Sequence, residues 1–550
     1  MHYRSPYPAL EIPETNILSY LFPPGREPSD RPIWIDAKDP QHSLSPRQAL
    51  VWIKKLAVLL DKLEIQHGEA VMMLTPNHIF VPIAYLGIVG SGRVFSGANP
   101  IYTVDEVKYQ ISNTGARVIF VHPTLLDVAI EAGQRVGLGK DRILQFDDQP
   151  CAQLNGVRDW RDLTTDSAEY VWDPMGQSSK TTLATVNYSS GTTGLPKGVS
   201  ISHYNIVANA EQTIFMRDQE KHYSASNRPI ERWLGFLPLY HAYGQLYMCV
   251  MAPKLLVPVY IMRKFVYEDF LLSLQTHRIT HLQAAPPILI MLDKRPETSN
   301  YDLTSLKNIL CGAAPLSKEL QRAVSKRFKV NILQGWGLTE VTCGAIHLPG
   351  GCQDDSGSVG VLDPNCECRL LDDSGKEVGP GEPGEMYIRG PQVCLGYWRN
   401  ENATKEAIDE EGWLKTGDIA VVKGGRFWIV DRKKELIKVN ALQVAPAELE
   451  AILLENENIA DAAVVGITLR GEEWPRGYIV LREESRKNVN AEDIQKWMKG
   501  RVAKHKQLAG GINFIDEVPK LASGKIQRKI MREWAKRDAI AIEKDSRARL

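Results

Sequence analysis

Neither sign of charge is in surplus: 66 Lys plus Arg residues balance 66 Asp plus Glu over 550 residues. No net field recruits nucleic acid or an anionic membrane, so any polyanion must be bound at a local site. Zinc-like cysteine spacing is also missing. Eight cysteines are scattered and the closest pair, Cys366 and Cys368, is two apart, so they read as free thiols. The N-terminal residues lack the charged-then-apolar pattern of a secretory signal, which makes a reducing intracellular compartment the expectation. Long apolar runs are absent too. The longest, Leu246 to Met262, contains Lys254, Pro253 and Pro258 and falls short of the ~20 residues that span a bilayer. It reads as buried strand and loop rather than a transmembrane segment. No internal repeat or low-complexity tract is found.

What is present fits a soluble globular chain, with 43% hydrophobic residues to fill a core and a length that calls for at least two domains. Ser45-Pro46-Arg47-Gln48 combines an N-cap serine, a proline at the first helical position and a glutamine at the third. Leu50, Ile53, Leu56, Leu60 and Leu63 follow at helical spacing, ahead of a strand-like run Ala70 to Leu74. A second capping box at Thr103 to Glu106 starts a helix that stops at Gly115, before the β-branched run to Val121. A further helix and a strand near Arg142 to Phe146 continue the alternation, which predicts α/β layers with largely parallel sheets. Near residue 430 the texture changes: Phe427 to Val430 reads as a strand running into the charge cluster Asp431 to Glu435. The boundary is placed there, between a domain over 1–430 and a small domain over 431–550.

The strongest local signal is Tyr188-Ser189-Ser190-Gly191-Thr192-Thr193-Gly194-Leu195-Pro196-Lys197-Gly198-Val199, placed after the strand-like Leu183 to Asn187. Its glycines let backbone approach an anion, its hydroxyls and free N–H groups donate, and Lys197 supplies a point charge. A loop of this kind suits a polyphosphate. It is not a Walker A loop, because Lys197 follows Pro196 and precedes Gly198.

At this motif the chain resembles the adenylate-forming superfamily of acyl-CoA synthetases, adenylation domains and luciferases, most closely its 4-coumarate:CoA ligase-like branch. The resemblance runs from about Ser45 to Lys529 and rests on five motifs in the family's order. After the first come Gln334-Gly335-Trp336-Gly337-Leu338-Thr339-Glu340, Thr416-Gly417-Asp418, the run Asp431 to Lys438, and the run Pro519 to Lys525. The implied fold is α/β, a large multi-layer N-terminal domain and a small α+β C-terminal domain with the active site at their interface.

The resemblance implies ATP, Mg²⁺ and coenzyme A as cofactor and co-substrates. It carries over Lys525, His241 and Thr339 as the catalytic set, and Glu340 as the ligand of a metal that wants hard oxygen donors. Nucleotide contacts fall on Ser189, Ser190, Gly191, Thr192, Thr193, Gly194, Lys197, Gln334, Gly335, Trp336 and Thr339, with Asp418 and Arg432 on the ribose. Trp336 stands where the family commonly has Tyr, so stacking on adenine survives without a hydroxyl. Lys438 and Gln443 go to the adenylate and the thioester-forming side, and Lys434 is the hinge. Asn440-Ala441-Leu442 departs from the ligases' Lys-Gly-Phe type loop, where Ala441 adds a methyl near the pantetheine arm.

His241, Tyr243, Gly312, Ala313, Gly337 and Leu338 make up the expected acid-binding set, small or apolar apart from the histidine. That favours an aryl or medium-length hydrophobic tail over an amino acid, whose ammonium would want a buried carboxylate. Cys311 replaces the ligases' usual Ser, so hydroxycinnamate specificity is not transferred. The expected reaction is adenylation followed by transfer to CoA. Loading of a carrier-protein phosphopantetheine is the alternative, disfavoured because no carrier-like domain follows. A luciferase-like monooxygenase and a degenerate binding module are weaker rivals, since Lys197, Glu340, Asp418, Arg432 and Lys525 are all present. The terminal Ala548-Arg549-Leu550 follows the small, basic, leucine pattern read by a peroxisomal import receptor, so peroxisomal location is expected, otherwise cytoplasmic.

Overall fold

The computed structural model describes residues 2–165, 170–172, 178–189, 195–219, 230–439, 442–521 and 524–548. Ser190 to Gly194 of the glycine-rich loop, Asn440 and Ala441, Ser523, and the terminal Arg549 and Leu550 lie outside them.

Both capping boxes form. Ser45 accepts from the Gln48 N–H while Gln48 accepts from the Ser45 N–H at 2.9 Å, and the helix runs Pro46–Lys62. Thr103 and Glu106 do the same for Val104–Thr114, which ends at Gly115 in the left-handed conformation, φ 70°. The hydrophobic positions of the first helix, Ile53, Leu56 and Leu60, are fully buried.

These helices cover a seven-stranded sheet ordered Gly396–Tyr397, Lys197–Ser202, Leu183–Ser189, Val94–Ala98, Ala70–Leu74, Val118–Val121, Ile143–Gln145. It is parallel from Leu183–Ser189 onward, and the glycine-rich loop connects an antiparallel pair in which Ser189 faces Lys197. A nine-stranded sheet packs beside it. Its parallel centre includes Trp233–Gly235, His281–Ala284, Asn308–Cys311 and Asn331–Trp336. The third sheet, of five strands including Leu414–Lys423 and Arg426–Arg432, is antiparallel throughout, which corrects the expectation of largely parallel pairing.

The apolar run Leu246 to Met262 is buried as expected, but most of it is helical. Gln245–Met251 forms a wide π-type helix, Ala252–Leu255 continues it as α-helix, and only Val259–Ile261 is strand. Pro253 lies inside this continuous helix, where the Met248 carbonyl, five residues back, accepts from the Trp34 indole N–H at 2.8 Å, and Leu256 at φ 53° stops the helix. Lys254 is accommodated because its ammonium reaches over the Tyr20 ring, 3.6 Å from the centroid. No helix among the described residues is long and apolar enough to cross a membrane.

The Arg426–Arg432 strand continues two residues past the expected boundary and leads through a turn at Lys433 to Glu435 into the small domain. There a hairpin, Ile437–Val439 with Leu442–Val444, joins a three-stranded sheet and the long Arg528–Ala548 helix around a separate core.

Candidate active site

Close backbone approaches build the floor of the cleft between the domains. A Cβ on Gly97 would lie 2.8 Å from the Tyr240 backbone, so glycine there lets the Pro238 to His241 segment rest on the seven-stranded sheet. Asn77 clamps the same segment, donating to the Leu237 carbonyl at 2.9 Å and accepting from the Leu239 N–H at 3.0 Å. This delivers His241 to the N-terminus of a helix. Its Nδ1 accepts from the Tyr243 N–H, and the Tyr243 hydroxyl donates to the Leu310 carbonyl at 3.0 Å. Burial, then the nearby Lys525 charge, lowers the His241 pKa to about 4, leaving a neutral imidazole at physiological pH.

The second motif begins as the Asn331–Trp336 strand, whose alternate residues Ile332, Gln334 and Trp336 point inward. The Gln334 amide is engaged by Gln321 at 2.7 Å, so this expected nucleotide contact has its side chain turned to a neighbouring helix. Trp336 is buried among Val341, Ile346 and Leu414, and its indole N–H donates to Asp418 at 2.8 Å. The expected adenine platform is therefore also the group that fixes Asp418, the expected ribose carboxylate. Arg432 stands opposite Asp418 across two antiparallel strands, its Nε 3.3 Å from the second carboxylate oxygen.

Glu340 lies in the short turn Thr339–Val341, with Thr339 half-buried beside it. The Tyr397 hydroxyl donates to one Glu340 oxygen at 3.0 Å, and Lys197 sits 4.8 Å from the centroid of the same tyrosine ring. Tyr397 thus links Lys197, the expected phosphate contact, to the expected metal carboxylate. Sequence reasoning missed it, although Leu395-Gly396-Tyr397-Trp398 pairs directly with the strand after the loop. The second Glu340 oxygen takes no hydrogen bond among the described residues, so a hard cation fits there with Thr339 nearby.

Lys525 comes into this group from the small domain. It follows Gly524, at φ 84°, and the turn presses on the large domain, since a Cβ on Gly524 would lie 3.0 to 3.1 Å from Pro287 and Ala285. Desolvation, then the Arg432 charge, lowers the lysine pKa to about 8, against the pull of Asp418, Glu340 and Glu435. Lys520 pairs with Asp461 at 2.5 Å and pins the start of this segment. Lys529, in the helix that follows, is exposed.

Other expected residues spread around this centre. Gly312, Tyr243 and the Gly335 carbonyl face one another, for a Cβ on Gly312 would lie 3.7 Å from both. Ala313 is exposed at φ 70°, Leu338 packs against the Trp336 cluster, and Cys311 is buried in the core. Gly337 passes so close to Cys343 that no side chain fits. Lys438 and Gln443 are cross-strand partners on an exposed hairpin. At the junction Lys433 is held by Asp373 and Glu385 of the large domain, Glu435 by Arg532 of the small one, with the exposed Lys434 between them.

Comparison with known proteins decides the lineage. The family described as AMP-binding enzyme matches residues 24–398, and AMP-binding enzyme C-terminal domain matches residues 448–525. The chain belongs to the AMP-binding enzyme family. It is similar to the phenylacetyl-CoA ligase epaB of Aspergillus niger, 35% identical over 96% of this chain and 98% of that one. It is also similar to the probable 4-coumarate–CoA ligase 1 of Dictyostelium discoideum, 34% identical over 97% and 98%. Among solved structures, the anthranilate CoA ligase AuaEII with anthranoyl-AMP superposes with TM-score 0.83, at 24% identity over 96% of this chain and 99% of that one. The family's two-domain fold is therefore the fold of this AMP-binding enzyme.

Proposed function

We propose that this AMP-forming acid–thiol ligase activates an aryl or medium-length hydrophobic carboxylic acid as its acyl-adenylate and passes the acyl group to coenzyme A. The observation carrying this reading is Lys525 reaching across the domain junction to His241, Asp418, Arg432 and Glu340. In the first half-reaction the acid's carboxylate, beside neutral His241, attacks the α-phosphate of ATP and pyrophosphate leaves. The Lys525 ammonium and Lys197 offset negative charge that gathers on the transferring oxygens. Asp418, set by Trp336 and Arg432, accepts from the ribose hydroxyls. Glu340 and Thr339 would hold Mg²⁺, which supplies charge neutralisation at the phosphates.

In the second half-reaction the small domain turns about Lys434, withdraws Lys525 and brings the exposed Lys438–Gln443 pair toward the adenylate. The anchoring of Lys433 and Glu435 to opposite domains supports a pivot at the residue between them. Pyrophosphate release from a panel of acids, with CoA or a phosphopantetheinyl carrier as acceptor, tests this reading. Thioester formed only on the carrier would overturn the CoA half.

The pocket placement predicts a size filter. A Gly312→Phe variant is expected to lose ~10²-fold or more in kcat/KM for the longest and widest accepted acids, because the new ring occupies the space against Tyr243. The KM for ATP should change by less than ~3-fold. Unchanged acid preference would count against this pocket.

The lowered lysine pKa predicts the alkaline limb. Adenylation needs the ammonium, so kcat/KM for pyrophosphate release should fall above pH ~8 as Lys525 loses its proton in the free enzyme. Bound ATP adds negative charge and moves the limb of kcat upward. Lys525→Arg, charged at all these pH values, should flatten the limb even if slower overall. A limb near pH 8 that persists in Lys525→Arg would assign it to another group.

A further inference from the structure

The expected phosphate loop and the histidine beside the acid belong to different elements, and one buried contact ties those elements together. The strand Leu183–Ser189 leads into the glycine-rich loop, and Ser189, its last residue, faces Lys197 across the antiparallel pair. Side chains alternate along a strand, so Asn187, two residues back, stands on the same face as Ser189. Tyr188 between them turns the other way, its hydroxyl donating to Asn113 at 2.5 Å. The histidine comes from elsewhere. His241 caps the short helical turn Ala242–Gly244, and Gln245 begins the wide helix that continues it. The Gln245 backbone N–H donates to the His241 carbonyl at 3.0 Å, which closes one turn between them.

Asn187 and Gln245 meet side chain to side chain. The Asn187 amide donates to the Gln245 side-chain oxygen at 2.9 Å, and the Gln245 amide donates back to the Asn187 side-chain oxygen at 3.0 Å. Both residues are only 3% exposed, so neither presents a surface to ATP or to the acid. Two opposed N–H···O bonds fix separation and twist together, whereas an apolar contact at the same place is free to slide. Beside the pair lies a space of about 10 Å³, at the lower limit for one water, bordered by Ala242 of the histidine turn and by Thr342, which follows the Glu340 turn. Loop strand, histidine turn and metal-site turn therefore converge here.

We infer that Asn187 and Gln245 form a positioning pair, which sets the distance between the strand that presents the phosphate loop and the helix that presents His241, and so the approach of the acid's oxygen to the α-phosphate. The inference rests on the adenylation half of the proposed reaction and holds whichever thiol accepts the acyl group. Attack needs reacting atoms about 3–3.5 Å apart and aligned, and slippage of ~1 Å between their two supports is enough to cost ~10²-fold in rate. Each support stays intact by itself, which places the loss in kcat rather than in binding.

The double variant Asn187→Leu with Gln245→Leu tests it, since replacing both partners of a buried hydrogen bond by apolar groups of similar size is close to neutral for folding. In ATP–pyrophosphate exchange its kcat is expected to fall ~10- to 10²-fold, while the KM values for ATP and acid move by less than ~3-fold and the thermal midpoint stays near that of the parent. A supplied acyl-adenylate should still pass to CoA within ~3-fold of the parent rate, because its two halves are already joined. The swap Asn187→Gln with Gln245→Asn restores an amide pair of the same total length and should recover kcat to within ~3-fold, whereas either half of the swap alone should remain slow. That swap decides the matter should the double leucine variant fail to fold. Parent-like kcat in the double leucine variant, equal slowing of both half-reactions, or a swap no faster than its single variants would overturn the pair's role while leaving the ligase reading intact. Pyrophosphate exchange by the parent protein with no acid in the panel would overturn the ligase reading itself, and this inference with it.

Discussion

Lys525→Ala is expected to reduce acyl-adenylate formation by roughly 10²- to 10³-fold or more, while the same protein converts a supplied acyl-adenylate and CoA to the thioester at close to the normal rate. The size of the first effect follows from where the lysine stands. Its ammonium enters a desolvated cleft from the small domain, where Arg432 repels it while Asp418, Glu340 and Glu435 favour it, so its charge is held in place at a cost. ATP phosphates and the developing adenylate reverse that balance, and the charge then acts most strongly where negative charge gathers in the transition state. The absence of a second effect follows from the junction. Gly524 presses the lysine-bearing turn on Pro287 and Ala285, and such a contact must break when the small domain rotates about Lys434. Measured separately, the two half-reactions should therefore diverge. Equal loss of both, in a variant with an unchanged thermal midpoint, would contradict the division of labour between them.

How much of this arrangement was legible in the sequence depended on how local its cause is. The capping boxes at Ser45 and Thr103 and the stop at Gly115 act within four residues, and each formed as read. Four of the five motifs likewise contribute side chains that meet: Glu340, Asp418, Arg432 and Lys525 converge, and His241, from outside the motifs and some 280 positions from Lys525, lies beside them. Long-range pairing was not readable. The antiparallel five-stranded sheet joins the N-terminal His2–Arg4 to strands beyond residue 366, and no local pattern announces that partner. The helical run after Gln245 was misread because prolines argue against helix in its interior, whereas here the Trp34 indole takes up the Met248 carbonyl ahead of Pro253, a long-range contact no local pattern shows. Side-chain destinations were least visible. Gln334 turns to Gln321, Trp336 to Asp418, and Tyr397 to Glu340, each across a contact that only the folded chain creates.

Gly337→Ala is expected to lower ATP–pyrophosphate exchange by ~10²-fold or more and to destabilise the fold, whereas Gly312→Ala should remain near the parent enzyme in both. The two glycines read alike in the sequence, as small residues bordering the acid, yet the space around them differs. A methyl on Gly312 would find its nearest neighbours, the Gly335 carbonyl and the Tyr243 ring, at 3.7 Å, which is ordinary contact. A methyl on Gly337 would run into the Cys343 carbonyl oxygen, with the carbonyl carbon at 2.6 Å and the Gly344 Cα at 2.8 Å. Those atoms are backbone of the turn that follows Thr339–Val341, and Thr342 within it already sits at φ 66°, tied through its hydroxyl to the Gln392 carbonyl at 2.7 Å. Relief must therefore come from moving the Trp336 strand end or the Glu340 turn, not from a side-chain rotation. Either motion shifts the groups that set Asp418 and receive the phosphates, and misplacement by about 1 Å is enough to cost ~10²-fold in rate. Overpacking of this kind costs typically 1–3 kcal/mol or more, about 2–12 °C in thermal midpoint depending on how large a unit unfolds together. Exchange kinetics and thermal unfolding of the two variants side by side check the claim. Wild-type exchange in Gly337→Ala would show that the second motif does not hold the nucleotide in the position assigned to it.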